Sequence, residues 1–280
     1  MSKFENKVDF AVLVSVKNAN PDGDPLNGNR PRTDYNGFGE ISDVCIKRKI
    51  RNRMQDKEYE IFVKSDDRTD DEFISLKERA KWLEKVDKID DFTKQACEKW
   101  IDVRTFGQVF AFKGFKCASV GVRGPVSIHQ AVSFDPVEIE SMQITKSVSG
   151  DRKKESERGS DTIGTKHFVR FGLYEIKGSI NVQLADKTGF SYEDAQVLKE
   201  CLKTLFVNDA SAARPDGSME VVKVIWWEHN CKEGQYSSAK VHRSLNVRLK
   251  DSIAIPSSFE DYDITVSELD SLTPEIIDCV

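Results

Sequence analysis

The sequence predicts an α+β fold of the split βαβ, or ferredoxin-like, kind, with segments inserted between its first helix and its later strands. Three observations carry this prediction. Residues Val8–Val16 alternate with period two; Ile46–Met54 and Ala195–Leu205 repeat with helical period; and strand-like stretches fill Lys116–Phe134, Glu175–Leu184 and Val221–Trp227. The resulting order is strand, helix, strand, strand, helix, strand. At 280 residues, 39% hydrophobic and 32% charged, the chain can bury a real core, and with no internal repeat it reads as one elaborated domain over 1–280.

Val8, Phe10, Val12, Val14 and Val16 alternate with Asp9, Ala11, Leu13, Ser15 and Lys17, which predicts a core strand with one face well buried. The stretch Asn18–Arg32 that follows is dense in Pro, Gly and Asn, whose backbone preferences suit a long shaped loop. Ser42 then offers an N-cap, Asp43 sits at the positive helix end, and Ile46, Ile50 and Met54 repeat every four residues. The other faces of that helix hold Lys47, Arg48, Lys49, Arg51 and Arg53, with no acid between Val44 and Gln55.

From Asp56 to Ile101 charged helix formers carry apolar marks at Phe73, Leu76, Ala80, Leu83, Phe92, Ala96 and Trp100, which predicts a helical insertion. Strand signals over Lys116–Phe134 are broken by Gly121, Gly124 and Pro125, as at a bulge or an edge. The polar tract Gly150–Asp161 has almost nothing to bury and reads as the tip of a protruding hairpin. In the next strand Ile176, Ile180, Val182 and Leu184 face in, while Glu175, Lys177, Ser179, Asn181 and Gln183 face out. Ser191 with Asp194 forms an approximate capping box ahead of Ala195, Leu198, Leu202 and Leu205, and Val221–Trp227 and Val241–Leu249 supply two more strands. Ser252–Val280 holds seven acids (Glu260, Asp261, Asp263, Glu268, Asp270, Glu275 and Asp278) and no base, so it reads as a solvated terminal helix or arm, or a partner-docking guard.

That tail holds more than the whole net charge of −5 and leaves residues 1–251 at +2. Acidity of the whole chain therefore does not exclude a nucleic-acid partner for a local basic groove. No apolar run approaches a membrane span, and Met1–Phe10 carries Lys, Glu and Asp where a secretory signal needs apolar residues, so the expected location is cytoplasmic, with no membrane partner. Cys45, Cys97, Cys117, Cys201, Cys231 and Cys279 form no CxxC pair and read as reduced and structural.

Asn20-Pro-Asp-Gly-Asp24 fails as a calcium loop, because its sixth position is Pro25 and its twelfth Pro31. His129, His167, His229 and His242 form no HExxH or nucleophile motif; a metal site from His229, Cys231 and His242 is a weaker reading than strand-surface or turn roles. There is no Walker loop and no GxGxxG, so no cofactor and no metal are expected. The basic stripe of the first helix suits phosphate, which clustered Lys and Arg neutralise regardless of base sequence. Phe106, Phe110, Phe112 and Phe115 fit a core better than a base-stacking platform.

Six segments in order carry a family resemblance: Asn20-Pro-Asp-Gly-Asp-Pro25, Ile41-Ser-Asp-Val-Cys-Ile-Lys-Arg-Lys-Ile-Arg51, Asp102-Val-Arg-Thr-Phe-Gly107, Val122-Arg-Gly-Pro-Val-Ser127, Thr165-Lys-His-Phe-Val-Arg-Phe-Gly-Leu-Tyr174 and Asn208-Asp-Ala-Ser-Ala-Ala-Arg214. The sequence resembles the repeated backbone subunit of type I CRISPR Cascade surveillance complexes, the Cas-seven family, most like the type I-C form. The resemblance implies an RRM-like palm, helical fingers at about 56–101, a hairpin thumb at about 141–170 and an acidic segment at 252–280. It implies a non-catalytic, antiviral CRISPR RNA-binding subunit that polymerises along the guide spacer and presents it for pairing with target DNA.

The RNA-binding residues it implies are Asn20, Asp22, Asn27, Arg30 and Arg32 in the first loop, and Ser42, Lys47, Arg48 and Arg51 at the first helix. Further along they are Arg123, then Lys153, Lys154, Arg158, Lys166, His167 and Arg170 at the thumb, and Arg214. A guide of variable sequence has to be held through phosphates, 2′-hydroxyls and shape. The implied partners are CRISPR RNA, target DNA, copies of the chain in a helical filament, a handle-binding cap, a large subunit and a small subunit. Two other readings stand beside this one. A metal-dependent ribonuclease of the type III kind would use Asp22, Asp24 or Asp34, and a protein-interaction module would use the same core without RNA.

Overall fold

A computed structural model describes residues 2–145, 152–154, 157–158 and 163–280. The chain is a mixed α/β structure around an antiparallel sheet of eight strands. In chain order these are β1 (Val8–Ala19), β2 (Phe38–Ile41), β3 (Val126–Ile128), β4 (Ala131–Pro136), β5 (Ile139–Thr145), β6 (Ile163–Ile180), β7 (Met219–Glu228) and β8 (Glu275–Asp278). The sheet path is β8-β7-β1-β6-β4-β2, with β3 and β5 also paired to β6.

β1 is central. It pairs with β6 from Val8↔Ile180 to Ala19↔Val169, and with β7 from Val8↔Glu228 to Val16↔Met219, with a bulge opposite Leu13 and Val14. Every residue from Val8 to Val16 is buried, which corrects the expectation of one buried face. Phe10, Val12 and Val14 pack on helices α1 (Asp43–Asp56) and α4 (Tyr192–Lys203) through Ile46, Ile50, Leu198 and Leu202. Ala11 and Leu13 face a second layer built from Trp227, Val241, Leu245 and Tyr262. The near-continuous apolar run is what a strand covered on both sides requires.

The helix starts follow local chemistry. Ser42 accepts from the amide of Cys45 at 3.3 Å, and Ser191 and Asp194 form a reciprocal capping box. Asp194 is also held by buried Arg104 at 2.9 and 2.8 Å. Arg104 lies on α3 (Ile101–Phe106), which directly follows α2 (Ile89–Lys99). A separate apolar cluster gathers Phe62, Leu83, Phe92, Trp100, Phe110 and Phe115, so Phe110 and Phe115 are core residues.

Four expectations change. Asp56–Ile101 is only partly helical: besides α2 it has one short helix, Leu76–Arg79, and isolated turns. Asp71 accepts from the Phe73 amide, a local bond that competes with the helix, while Ser75 caps the short helix by accepting from the Glu78 amide. β6 stops at Ile180 because Asn181 caps a new helix, Val182–Thr188, by accepting from the Leu184 amide at 2.9 Å; Val182 and Leu184 are helical. Val241 and His242 belong to a short helix, Ser238–His242, capped by Ser237, and only Leu245–Leu249 forms the strand. The acidic C-terminal stretch is neither helix nor free arm. Its Tyr262–Val266 pairs with Leu245–Leu249, and β8 pairs with the edge of β7. Tyr262, Ile264 and Val266 turn inward while Asp263 and Thr265 stay exposed, the pattern of a half-covered strand.

β5 and the outer end of β6 form a hairpin from Ile139↔Val169 to Thr145↔Ile163, and Ser141 to Thr145 are exposed on both faces. Beyond it Arg152–Lys154 pairs with Glu157–Arg158. The rest of the polar tract, and the side chains of Lys153, Lys154 and Arg158, lie outside the described residues. Among the described residues no helix is long and apolar enough to cross a membrane.

Candidate nucleic-acid interface

The loop after β1 folds back on the start of α1. Asn20 is buried; its backbone amide donates to Ala213 at 2.9 Å and its side-chain amide to the Asn29 carbonyl at 2.7 Å. One Asp22 oxygen accepts from the Ser42 amide at 2.8 Å and the Ser42 hydroxyl at 2.6 Å. Arg32 lies 3.6 Å from both Asp22 and Asp24, bridging the two carboxylates. Asp24 caps the single turn Pro25–Asn27, which puts Leu26 and Asn27 at an exposed tip. Gly23 permits the fold: a Cβ there would lie 2.0 Å from the Asn29 side chain.

From the same loop Arg30 reaches the hairpin. Its Nη1 donates to the Ser141 hydroxyl at 2.8 Å and lies 3.4 Å from His167 Nδ1; Ser141 Oγ and His167 Nδ1 are 2.8 Å apart. Ser141 and His167 are cross-strand partners, so the register of β5 on β6 sets this geometry.

The cations of α1 divide by face. Lys49 and Arg53 are buried, which corrects the picture of a wholly superficial stripe: Lys49 pairs with Asp209, and Arg53 with Asp56 and Thr204. Arg51 donates to Asp102 at 2.9 Å and stacks its guanidinium over Phe106 at 5.1 Å. Asp102 is fully buried and also accepts from the amides of Phe62 and Val63 at 2.7 and 3.1 Å. Arg48 donates to the Val63 carbonyl at 2.7 Å; burial, then the like charge of Arg51, lowers its pKa. Lys47 pairs with Asp43 at 2.9 Å, and that hydrogen bond is the main cause of the lowered pKa of Asp43.

Arg214 closes the group. Its Nε donates to Asp209 at 3.2 Å, so Asp209 ties Arg214 to Lys49 and brings the loop Asn208–Arg214 beside α1 and Asn20. The structure thus joins Asn20, Asp22, Arg30, Arg32, Ser42, His167 and Arg214, with Asn27 at the tip and Lys47, Arg48 and Arg51 along the adjoining helix. Lys166 and Arg170 stand on the opposite face of β6 from His167, and Arg170 pairs with Glu140 at 3.0 Å. Arg123 is exposed at the end of Val120–Arg123, and among the described residues no side-chain contact joins it to the loop.

Sequence reasoning missed Ser141, Lys49, Asp102 and Asp209 as organisers. Asp102 and Asp209 each lie within a segment that carried the resemblance, but only distant partners give them a role. Among the described residues no three acids, histidines or cysteines are grouped to hold a metal. His229 is not a surface residue: it is buried against Asp9 at 2.9 Å, and His242 binds the Gly178 carbonyl at 3.1 Å.

A family model described as CRISPR-associated protein Cas7 matches residues 6–267. A CRISPR-associated protein Cas7 from Haloferax volcanii is 24% identical over 284 residues, covering 94% of this chain and 82% of the relative. Two solved structures are also similar at 16% identity over 79% of this chain. One is a CRISPR RNA-guided surveillance complex, pre-nicking (78% of that chain, TM-score 0.46), and the other a CRISPR RNA-guided surveillance complex (68%, TM-score 0.44). Since the family model runs from just before β1 to beyond the strand Tyr262–Val266, the chain belongs to the CRISPR-associated protein Cas7 family.

Proposed function

We propose that this chain is a non-catalytic backbone subunit that binds CRISPR RNA, polymerises along the guide spacer and presents it for pairing with target DNA. The observation that carries this reading is the convergence of the Asn20–Arg32 loop, the start of α1, the Asn208–Arg214 loop and the β5–β6 hairpin on one basic region. Its cations suit phosphate and shape recognition, which any guide sequence satisfies. The contacts we assign to RNA are Asn20, Asp22, Asn27, Arg30, Arg32, Ser42, Lys47, Arg48, Arg51, Arg123, Lys166, His167, Arg170 and Arg214, with Lys153, Lys154 and Arg158 at the hairpin tip.

The strand order β7-β1-β6-β4, with α1 and α4 on one face, supports an RRM-like palm. In this reading residues 56–101 are fingers, 141–170 a thumb, and the assembly is of the type I-C kind, with further copies, a handle-binding cap, a large subunit and a small subunit as partners. The ribonuclease reading is less well supported. The Asp22 carboxylate is committed to Ser42, and the Arg32 cation bridges Asp22 and Asp24.

Co-expression with a repeat-spacer transcript and a handle-binding partner, followed by mass and nucleic-acid analysis of the purified particle, tests the proposal. Several copies on one RNA of uniform length are expected. A nucleic-acid-free monomer would favour the interaction-module reading, and periodic cutting of a complementary RNA would favour the ribonuclease.

A further inference from the structure

Trp100, Trp226 and Trp227 are buried, whereas Trp82 is 43% exposed. It lies in the single turn Lys81–Leu83, whose Leu83 and preceding Ala80 pack into the apolar cluster of Phe62, Phe92, Trp100 and Phe110. The indole is held in place: its ring centre is 5.6 Å from that of Trp100 with the planes at 58°, and Lys99 Nζ lies 5.1 Å from the ring of Trp82 and 5.7 Å from that of Trp100. The ammonium thus occupies the angle between the two rings, and the open side of Trp82 is the one turned away from Trp100. Resting on the guide-binding reading, we propose that Trp82, flanked by Lys81, Lys85 and Lys99, stacks a base of the DNA strand left unpaired when the guide pairs with its target.

Charge makes a polyanion the fitting occupant. Nearby in the chain Lys64, Arg68, Arg79, Lys94 and Arg104 each face a carboxylate. Lys81, Lys85, Lys99 and Lys116 are exposed and have no carboxylate partner among the described residues. The Lys116 amide donates to the Glu84 carbonyl at 3.0 Å, which brings Lys116 beside the same turn. Of the neighbouring acids, Glu78 accepts from the Ile74 amide and Glu98 faces Lys94. Glu84 is half-buried and turned towards Gly114, where a Cβ would lie 3.8 Å from its Oε1, and Asp87 is exposed. Unpaired lysines beside an open indole suit a single strand, whose phosphates they neutralise and whose base stacks whatever its identity.

Stacking also decides which strand. An indole needs an open base face, and in the strand paired to the guide each base is already covered by its neighbours in the duplex. The guide itself is assigned to the Asn20–Arg32 loop, α1 and the hairpin, whereas the described contacts of Trp82 are with Trp100 and Lys99 in the other apolar cluster. Opening a target duplex leaves one strand with no pairing partner, and holding that strand opposes its return in an exchange that is otherwise nearly balanced. Because Trp100 and Lys99 already fix the ring, little side-chain freedom is lost when a base stacks on it.

Binding of a labelled oligothymidylate of about 15 nucleotides to the RNA-loaded particle, with a guide that has no complementary adenine run, tests this by fluorescence anisotropy over a salt series. Trp82→Leu is expected to weaken binding by about fivefold to a hundredfold, the loss for one stacked base, with the RNA content of the particle unchanged. Trp82→Tyr, which keeps an aromatic face, is expected to stay within a few-fold of the wild type. Lys85→Gln and Lys99→Gln are each expected to flatten the log–log salt slope by about 0.7, the increment for one phosphate of a single strand. A DNA duplex of the same length is expected to compete less well than the single strand, since its bases are already stacked. In the full chain alone, oligothymidylate is expected to quench tryptophan fluorescence in the wild type and not in Trp82→Leu, because Trp100, Trp226 and Trp227 are buried. Each variant's thermal melt checks that it stays folded.

A Trp82→Leu particle that binds oligothymidylate as the wild type does, unchanged salt slopes in both lysine variants, or a duplex that competes as well as the single strand overturns the site while leaving guide binding intact. A wild-type RNA-loaded particle that takes up no oligothymidylate also overturns it, and favours a protein contact for the exposed indole. Loss of RNA from the Trp82→Leu particle overturns the separation of this site from the guide interface. A wild type that forms no RNA-bearing particle overturns the guide-binding reading together with the site.

Discussion

Asp102→Asn is the most informative single change outside the RNA contacts. The Asp102 side chain is 1% exposed and that of its partner Arg51 is 12% exposed, so the pair is little screened by water. One Asp102 oxygen takes the Phe62 amide, and the other takes the Val63 amide and Arg51 Nε. An Asn can keep the first bond, but its NH2 then confronts two donors and Arg51 is left buried without its anion. Breaking a buried pair from one side costs about 3–5 kcal/mol. At roughly 2–4 °C per kcal/mol, the value for chains somewhat smaller than this one, the melting temperature should fall by about 6–20 °C. Urea titration should show the same loss at nearly constant slope. Adding Arg51→Leu should recover part of it, giving a coupling of about 1–3 kcal/mol in the double-mutant cycle. A loss under about 1 kcal/mol, or strictly additive effects, would refute the reasoning that Arg51 anchors α1 to the segment around Phe62.

Tyr174→Phe should be neutral or stabilising by up to about 1 kcal/mol, because the buried hydroxyl has no partner among the described residues; urea titration checks this. Gly39→Ala should cost about 1–3 kcal/mol, since its Cβ would meet that hydroxyl at 2.2 Å, and a thermal melt gives the value. With a thiol reagent near neutral pH, exposed Cys231 should react first. Burial pushes Cys45 up to about 11 and Cys97 and Cys201 up to about 12, and Cys231→Ser should remove the fast phase. The hydrogen bonds from Arg79 hold the carboxyl of Asp71 well below its ordinary value, so its contribution is fully present above about pH 4 and is lost as pH falls further. Hydrogen exchange across an acid series should show loss of protection around 71–79, and Asp71→Asn should lack that acid-dependent loss.

The elements legible in the sequence were those whose cause is local. Ser42 and the Ser191–Asp194 box announce α1 and α4, and the alternation from Val8 to Val16 announces β1. The same alternation misled at Val182 and Leu184, because a residue pair two apart fits a strand until Asn181 caps the chain into a helix. The acid-rich tail hid the inward pattern Tyr262, Ile264, Val266, and the cover it lays over Ala11 and Leu13 depends on Leu245–Leu249. At the site, the loop motif and the cations of α1 were visible as residues. Their pairings were not, since Lys49 meets Asp209 and Arg30 meets Ser141 across 160 and 111 positions.

Those pairings change what the basic stripe means. A phosphate approaching α1 has to compete with Asp102 for Arg51 and with Asp209 for Lys49, and a buried charge gives up its partner only at a cost of several kcal/mol on the order of the pair itself. Lys49, Arg51 and Arg53 are therefore better read as fixing the helix against 62–63, 102 and 204–209 than as supplying most of the attraction. On the proposed RNA-binding reading, the attraction would fall to cations held by neutral groups or by exposed acids: Arg30 on Ser141 and His167, Arg48 on the Val63 carbonyl, and Lys47 on half-exposed Asp43. The salt dependence of RNA binding should accordingly count a few phosphates per subunit, fewer than the basic residues of α1. A chain of net charge −5 can then hold an anionic ligand through a few such cations while Lys49, Arg51 and Arg53 stay bound to Asp209, Asp102 and Asp56.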